Sequence, residues 1–313
     1  MADSAAPDAA PDVASTAQAE FRLGLTAGIS AYLLWGFLPL YYTLTDGVPA
    51  YMVVAHRIIW SVLSVGLFLV IVRRMGEVKA ILKSRKPLTL LFLSAALISV
   101  NWLVFIWAIE VGRVLEVSFG YFINPLVNIV IGLVLLGEKL TRAQTIAAGL
   151  TVVAIASQGI LLGSLPWVSL VLAFSFAAYG YVRKMTPVGA TPGLFIETLL
   201  MTPFSLGFMI WLASHGGTVL PTGDPGLLVA LLGTGIVTAL PLILFATSAR
   251  RLPLSLVGFL QYIAPSIQFL LAISYWGEPL STVKLASFVL IWISLAIVSV
   301  DAIRRRERRP ARA

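Results

Sequence analysis

Ser118-Phe119-Gly120-Tyr121-Phe122-Ile123-Asn124-Pro125 is followed, twelve residues beyond its proline, by Gly137-Glu138-Lys139-Leu140-Thr141. Gly258-Phe259-Leu260-Gln261-Tyr262-Ile263-Ala264-Pro265 is followed at the same interval by Gly277-Glu278-Pro279-Leu280-Ser281. The two stretches are one pattern written twice, 140 residues apart: Pro125 answers Pro265, Asn128 answers Gln268, Glu138 answers Glu278 and Thr141 answers Ser281. A weaker echo sets Trp35-Gly36 against Tyr179-Gly180. A fixed interval of this kind marks a duplicated structural unit.

Composition says what the unit is made of. Of the 313 residues, 59% are hydrophobic and only 12% charged. A soluble chain carries about a quarter charged residues, so this one cannot dress a water-facing surface. The absence of cysteine removes thiol catalysis, CxxC redox chemistry and Cys-based zinc sites. A helix needs about 20 mostly apolar residues to cross a bilayer. Ten stretches meet that length: 24–44, 50–72, 88–109, 115–136, 143–161, 166–182, 191–213, 226–246, 254–276 and 283–300. Turn signals separate them, as at Asp46-Gly47-Val48-Pro49, and Thr141 with Gln144 reads as a capping box. No stretch alternates in the manner of a membrane β-strand.

The expected fold is an all-α membrane protein of ten transmembrane helices in two five-helix repeats. Five is odd, so the second repeat enters the membrane inverted relative to the first. The repeats span 23–161 and 162–303, between a disordered tail at 1–22 and a basic tail at 304–313. Of the 22 Lys and Arg residues, nineteen fall on the side holding both termini, only Arg113 and Lys284 on the other, and Arg57 inside a span. Both termini are therefore expected in the cytoplasm. The tail is acidic, unlike a signal peptide, and the net charge of +8 reads as topology and attraction to anionic lipid rather than nucleic-acid binding.

Inverted repeats give inward- and outward-open states that mirror each other, which points to a transporter. The fourth and ninth expected spans carry matching polar stripes, Tyr121, Asn124 and Asn128 against Gln261, Ala264 and Gln268. Pro125 and Pro265 are expected to bend these helices at mid-span. The stripes are read as the lining of a central cavity, with Asn101, Trp102 and Tyr179 near it. Interhelical hydrogen bonding is the plainer alternative. Arg57, with His56 beside it, and Glu197 lie about 10 Å into their spans from opposite faces, which argues against their pairing directly. They are candidates for ion coupling or for holding substrate charge; packing and helix-to-helix ties are the alternative. Neither a nucleotide-binding loop nor an enzyme constellation is present, and no metal or cofactor is expected. The expected partners are a small-molecule substrate and membrane lipid, with a homodimer as a candidate assembly. A lipid-flipping or lipid-modifying protein and a channel are the rival readings.

Several segments carry a family likeness: His56-Arg57-Ile58-Ile59-Trp60-Ser61, Asn101-Trp102-Leu103-Val104-Phe105-Ile106-Trp107-Ala108, Ser118 to Leu126, Ser175 to Lys184, Glu197-Thr198-Leu199-Leu200 and Gly258 to Pro265. In this order, over residues 24–303, the chain resembles the drug/metabolite transporter superfamily, and within it the EamA-type, RarD-like permeases. The resemblance implies a ten-helix permease of the bacterial inner membrane, from a group linked with chloramphenicol sensitivity or resistance. One position departs from that pattern: Met52 stands where such chains carry a glutamate, four residues ahead of His56.

Overall fold

The structure, a computed structural model, describes residues 13–307 apart from 137–140, 162, 221–222, 250 and 253–259. Within α5 some side chains, among them Pro125 and Asn128, also lie outside the described set. The described residues form eleven α-helices: α1 (Val13–Tyr42), α2 (Ala50–Ile71), α3 (Met75–Leu82), α4 (Arg85–Glu110), α5 (Val114–Leu136), α6 (Arg142–Leu161), α7 (Trp167–Met185), α8 (Ala190–Ser214), α9 (Pro225–Ala249), α10 (Ile263–Ser274) and α11 (Thr282–Glu307). Seven of them, α1, α2, α4, α6, α8, α9 and α11, are long and apolar enough to cross a membrane. α7 and α10 contain shorter apolar segments, and α5 is 23 residues long.

Burial is inverted relative to a soluble protein. Leu67, Ile160, Phe204, Ile210 and Val229 are each more than 60% exposed, whereas Ser94, Asn101, Ser118 and Asn124 are at most 1% exposed. Apolar side chains face outward because lipid solvates them, and polar ones turn inward because lipid offers them no hydrogen bond. The chain is an all-α, multi-pass membrane protein.

Close helix approach rests on small residues. A β-carbon on Gly120 of α5 would stand 2.8 Å from the Ser169 carbonyl oxygen of α7, so only glycine admits this crossing. The principal pairings are α1 with α9 and α10, α7 with α4 and α5, α2 with α8 and α9, α4 with α8, α5 with α10, and α6 with α11. Phe119, Phe269 and Phe288 meet at the centre of the α5–α10–α11 contact, with centroids 5.2 and 4.6 Å apart.

The expected boundaries need four adjustments. α1 starts at Val13, inside the stretch expected to be a disordered tail. Its alanine-rich opening extends an existing helix at little cost, and Glu20 is anchored 2.7 Å from Arg251. α3 was not anticipated; it buries Val78 and Ile81 and leaves its lysine exposed. Pro265 is the third residue of α10 rather than a mid-helix bend. In a first turn its missing N–H has no intrahelical role, so it is accommodated just after the turn at Gln261 and Tyr262 that separates helical Leu260 from α10. Gln261 accordingly sits in the turn before α10 and shares no continuous helical face with Gln268. The Thr141 capping box is present in both directions, Thr141 N–H to Gln144 at 3.0 Å and Gln144 N–H to Thr141 at 3.1 Å. The repeated glutamate Glu138 lies outside the described residues. Glu278 caps another helix, accepting the Val114 and Leu115 N–H groups at the start of α5.

Candidate functional site

Two buried charges organise the interior. Arg57 stands seven residues after the start of α2, and Glu197 seven after the start of α8 (57 − 50 and 197 − 190). α2 and α8 pack against one another, yet the two side chains find different company.

Arg57 is 4% exposed. Its Nη1 donates to the Tyr42 hydroxyl at 2.7 Å, and its guanidinium carbon lies 4.1 Å from the Trp102 ring centroid. A flat cation over an indole face is held by the ring quadrupole, worth about 1 to 2 kcal/mol as water is excluded. Nε is buried with no partner among the described residues. Among the described residues no carboxylate lies within 4.0 Å of this guanidinium.

Glu197, 1% exposed, has a full complement. Ser94 of α4 donates to Oε1 at 2.5 Å, Tyr179 of α7 donates to Oε2 at 3.5 Å, and Arg183 of α7 brings Nε to 3.5 Å from Oε1. Arg183 also donates to the Gly189 carbonyl at 3.2 Å. Its guanidinium lies where a β-carbon on residue 193 would be, so Gly193 opens the space in which the pair forms. The expected separation of Arg57 from Glu197 holds: the carboxylate's cation is Arg183.

The amides divide in the same way. Asn101 donates to the Leu172 carbonyl at 3.0 Å and to Ser175 at 2.9 Å, and accepts the Tyr121 hydroxyl at 3.2 Å. It ties α4 to α7 and α5. Gln268 donates to the Trp35 carbonyl at 3.1 Å, with its own oxygen buried and unpartnered. Asn124, fully buried, has no partner for either amide atom among the described residues. Ser118 donates to the Pro265 carbonyl at 2.8 Å, joining α5 to α10. Asn128 lies outside the described side chains.

His56 is held as a neutral imidazole. Trp60 Nε1 can only donate, so His56 Nδ1 accepts at 3.2 Å, leaving Nε2 protonated to donate to the Val219 carbonyl at 3.0 Å. Both nitrogens are thereby occupied, Nδ1 within α2 and Nε2 in tying α2 to the segment after α8.

Rings connect the two charges. Tyr42 to Phe105, Phe105 to Tyr121, Tyr121 to Phe176 and Phe176 to Tyr179 are steps of 6.1, 6.0, 6.1 and 6.0 Å between centroids. The chain of contacts runs from Arg57's phenol to Glu197's phenol through the face of α5 that carries Tyr121. At the Arg57 end a crevice lined by Tyr42, Thr45, Asp46, Ile106 and Glu110 holds about 10 Å³, room for about one water. A wider groove of about 380 Å³ opens between α5, α10 and α11 beside Phe122, Tyr262, Ser266 and Trp292.

Arg57, Trp102, Tyr121 and Asn101 thus converge, while Tyr179 and Glu197 form a second cluster. Sequence reasoning missed Ser94 and Arg183 as partners of Glu197, counting Arg183 only as a loop cation. One signal was available: 197 − 57 is 140, the interval of the repeat.

Known proteins resemble this chain over nearly its whole length. Residues 22–157 match the model of the EamA-like transporter family. A RarD protein of Streptomyces exfoliatus is 43% identical over 296 residues, 95% of this chain and 94% of that protein. RarD of Escherichia coli strain K12 is 40% identical over 92% of this chain and 97% of its own length. A chloramphenicol-sensitive protein RarD of Pseudomonas aeruginosa is 32% identical over 90% and 95%. A crystal structure 19% identical to this chain superposes with a TM-score of 0.58 over 90% of this chain and 98% of that one, which shows a common fold. The chain is a RarD-like member of the EamA transporter family, and therefore a transporter rather than an enzyme.

Proposed function

We propose that this protein is a secondary transporter that carries a small organic solute across the bacterial cytoplasmic membrane by alternating access. Ten spans are built as two inverted five-helix units, 23–161 and 162–303, with both termini in the cytoplasm. The observation that carries the proposal is an exchange symmetry in the helix packing. Exchange α1 with α7, α2 with α8, α4 with α9, α5 with α10 and α6 with α11. The α1–α9 contact then becomes α7–α4, α1–α10 becomes α7–α5, and α2–α9 becomes α8–α4; the α2–α8, α5–α10 and α6–α11 contacts become themselves. A bundle with this property can trade its two halves' conformations, which is how inverted repeats move a site from one face to the other.

In this reading Tyr121, Asn124, Gln268, Asn101 and Trp102 line the path, joined by Asn128 and Gln261. Glu197 is the ion-coupling group, because Ser94, Tyr179 and Arg183 give its carboxyl both donors and a cation that can be released when it takes a proton. The P. aeruginosa relative's name makes chloramphenicol one solute to test. In proteoliposomes, solute accumulation that saturates and follows an imposed pH gradient is expected. Glu197→Gln is expected to abolish accumulation against a gradient while sparing downhill exchange. Leucine at Asn124 or Gln268 is expected to stop flux with membrane insertion intact. Conductance that ignores solute gradients would replace this reading with a channel, and lipid scrambling without solute flux with a flippase.

A further inference from the structure

Arg57 and Glu197 hold repeat-equivalent positions, and each is gripped from the end of an equivalent helix. Tyr42 is the last residue of α1, and Arg183 lies in the last turn of α7. Glu197 receives a cation there; Arg57 receives a phenol. The buried cation is left with an aromatic plate beneath it, a hydrogen bond at Nη1 and an orphan Nε. Because Tyr42 accepts from Arg57, its own hydroxyl hydrogen remains available to donate. The carboxylates at the mouth of the crevice do not supply the missing charge: Asp46 and Glu110 lie more than 4.0 Å from the guanidinium, and Glu110 accepts the Ala50 N–H at 3.2 Å.

We infer that Arg57, Tyr42 and Trp102 bind the anionic group of the transported solute, which is an organic monocarboxylate with a planar body. The guanidinium fork matches a carboxylate, and the Tyr42 hydroxyl adds a donor of the right kind. One positive charge balances one negative charge, whereas a phosphate dianion would leave the site in net deficit. Phe105 and Tyr121 continue the ring surface away from Arg57, which suits a flat apolar body rather than a sugar. The inference rests on the transport reading, since space for about one water beside Tyr42 means the halves must part before a solute enters.

The test uses the purified full chain in detergent and in proteoliposomes. Benzoate and indole-3-acetate are compared with benzamide and indole-3-acetamide, which keep the shape and lose the charge. The acids are expected to raise the melting temperature by on the order of 3 °C at saturating concentration, and the amides to have no effect. Arg57→Gln is expected to abolish the protection, and Arg57→Lys and Tyr42→Phe to weaken apparent affinity about tenfold. Without ligand, Arg57→Gln is expected to melt no lower than the wild type, because it removes a buried charge that lacks a counterion. A residue serving packing alone would melt lower when replaced. Equal protection by acids and amides, protection that survives in Arg57→Gln, or no protection by either acid overturns the inference. Acid protection through Arg57 without flux across vesicles would sink the transport reading and leave the anion site standing. Flux of the amides but not the acids would do the reverse.

Discussion

The surroundings of Arg57 and of Glu197 are two solutions to one problem, each set seven residues into its helix. A buried ion costs several kcal/mol unless it is paired and hydrogen-bonded. Around Glu197 the carboxylate's cost is met inside the protein by Ser94, Tyr179 and Arg183, although Arg183 Nη1 is buried with no partner among the described residues. Around Arg57 it is met in part, by Trp102 and Tyr42. The difference lies in a few side chains: the end of α7 offers an arginine where the end of α1 offers a tyrosine. A closed ion pair is a tie that can be broken by a proton. In the proposed transport reading the open cation receives the solute's charge and the closed pair carries the coupling proton.

The largest effect expected from breaking this contrast is on the closed pair. Arg183→Met leaves Glu197 without its cation and is expected to cost about 3 kcal/mol. Adding Glu197→Gln should recover most of it, since the neutral amide still accepts from Ser94. Unfolding of both variants in mixed detergent, read as a double-mutant cycle, measures the coupling. Additive losses would mean that Arg183 acts through Gly189 alone and that the pair has no energetic content.

Trp102 probes the open side. Trp102→Leu is expected to lose about 2 kcal/mol, through lost packing and lost cation–π attraction. In an Arg57→Gln background the second of these is already gone, so the loss should shrink by about 1 kcal/mol. The same cycle measures it, and an undiminished loss would show that Trp102 serves packing only.

The fold was largely legible because its main determinants are local and periodic. Long charge-free runs declare spans, and seven of the described helices are long and apolar enough to cross a membrane. Near Pro265 the helical run is interrupted, with Leu260 helical, a turn at Gln261 and Tyr262 and α10 from Ile263. How far a proline interrupts a run is set by that turn rather than by the proline alone. α3 was missed because eight residues carry too little periodic signal to stand out among lysines and arginines. Of the site, Arg57, Trp102, Tyr121, Asn101 and Glu197 could be named, since an ionisable or amide group inside a span is conspicuous. Their partners could not. Ser94 and Arg183 are ordinary in sequence, one a small residue on a helix and the other a loop-flanking cation. Only the packing of α4 and α7 on α8 gives them a role.

Glu278 sharpens the comparison from outside the spans. Like Arg57 it has hydrogen bonds but no ion pair of its own: the Val114 and Leu115 N–H groups cap onto it, while Arg113 is taken by Glu116. Burial pushes its carboxyl up to about 7, against the lowering pull of those N–H groups and of Lys284, and with Glu116 adding to the rise. A folded pKa above the unfolded one means that the folded chain holds the proton longer. The resulting contribution is complete below about pH 4.5 and is lost as pH rises through about 7. The melting temperature should therefore fall by on the order of 2 °C between pH 5 and 7.5 on account of this group. Glu278→Gln should flatten that slope. An unchanged slope in the variant would assign the pH dependence to another residue.

The smallest effect separates a ring from its hydroxyl. Tyr179 reaches Glu197 at 3.5 Å, the edge of hydrogen-bonding range, whereas Ser94 donates at 2.5 Å to the other oxygen. Tyr179→Phe keeps the ring that meets Phe176 at 6.0 Å and removes only the weak donor. It is expected to cost a few tenths of a kcal/mol, against about 2 kcal/mol for Ser94→Ala, which strips a buried carboxylate of its short bond. If the two variants cost the same, the carboxylate is held as much by the aromatic chain as by α4. The ring contacts running to Tyr42 would then couple the paired charge directly to the open one.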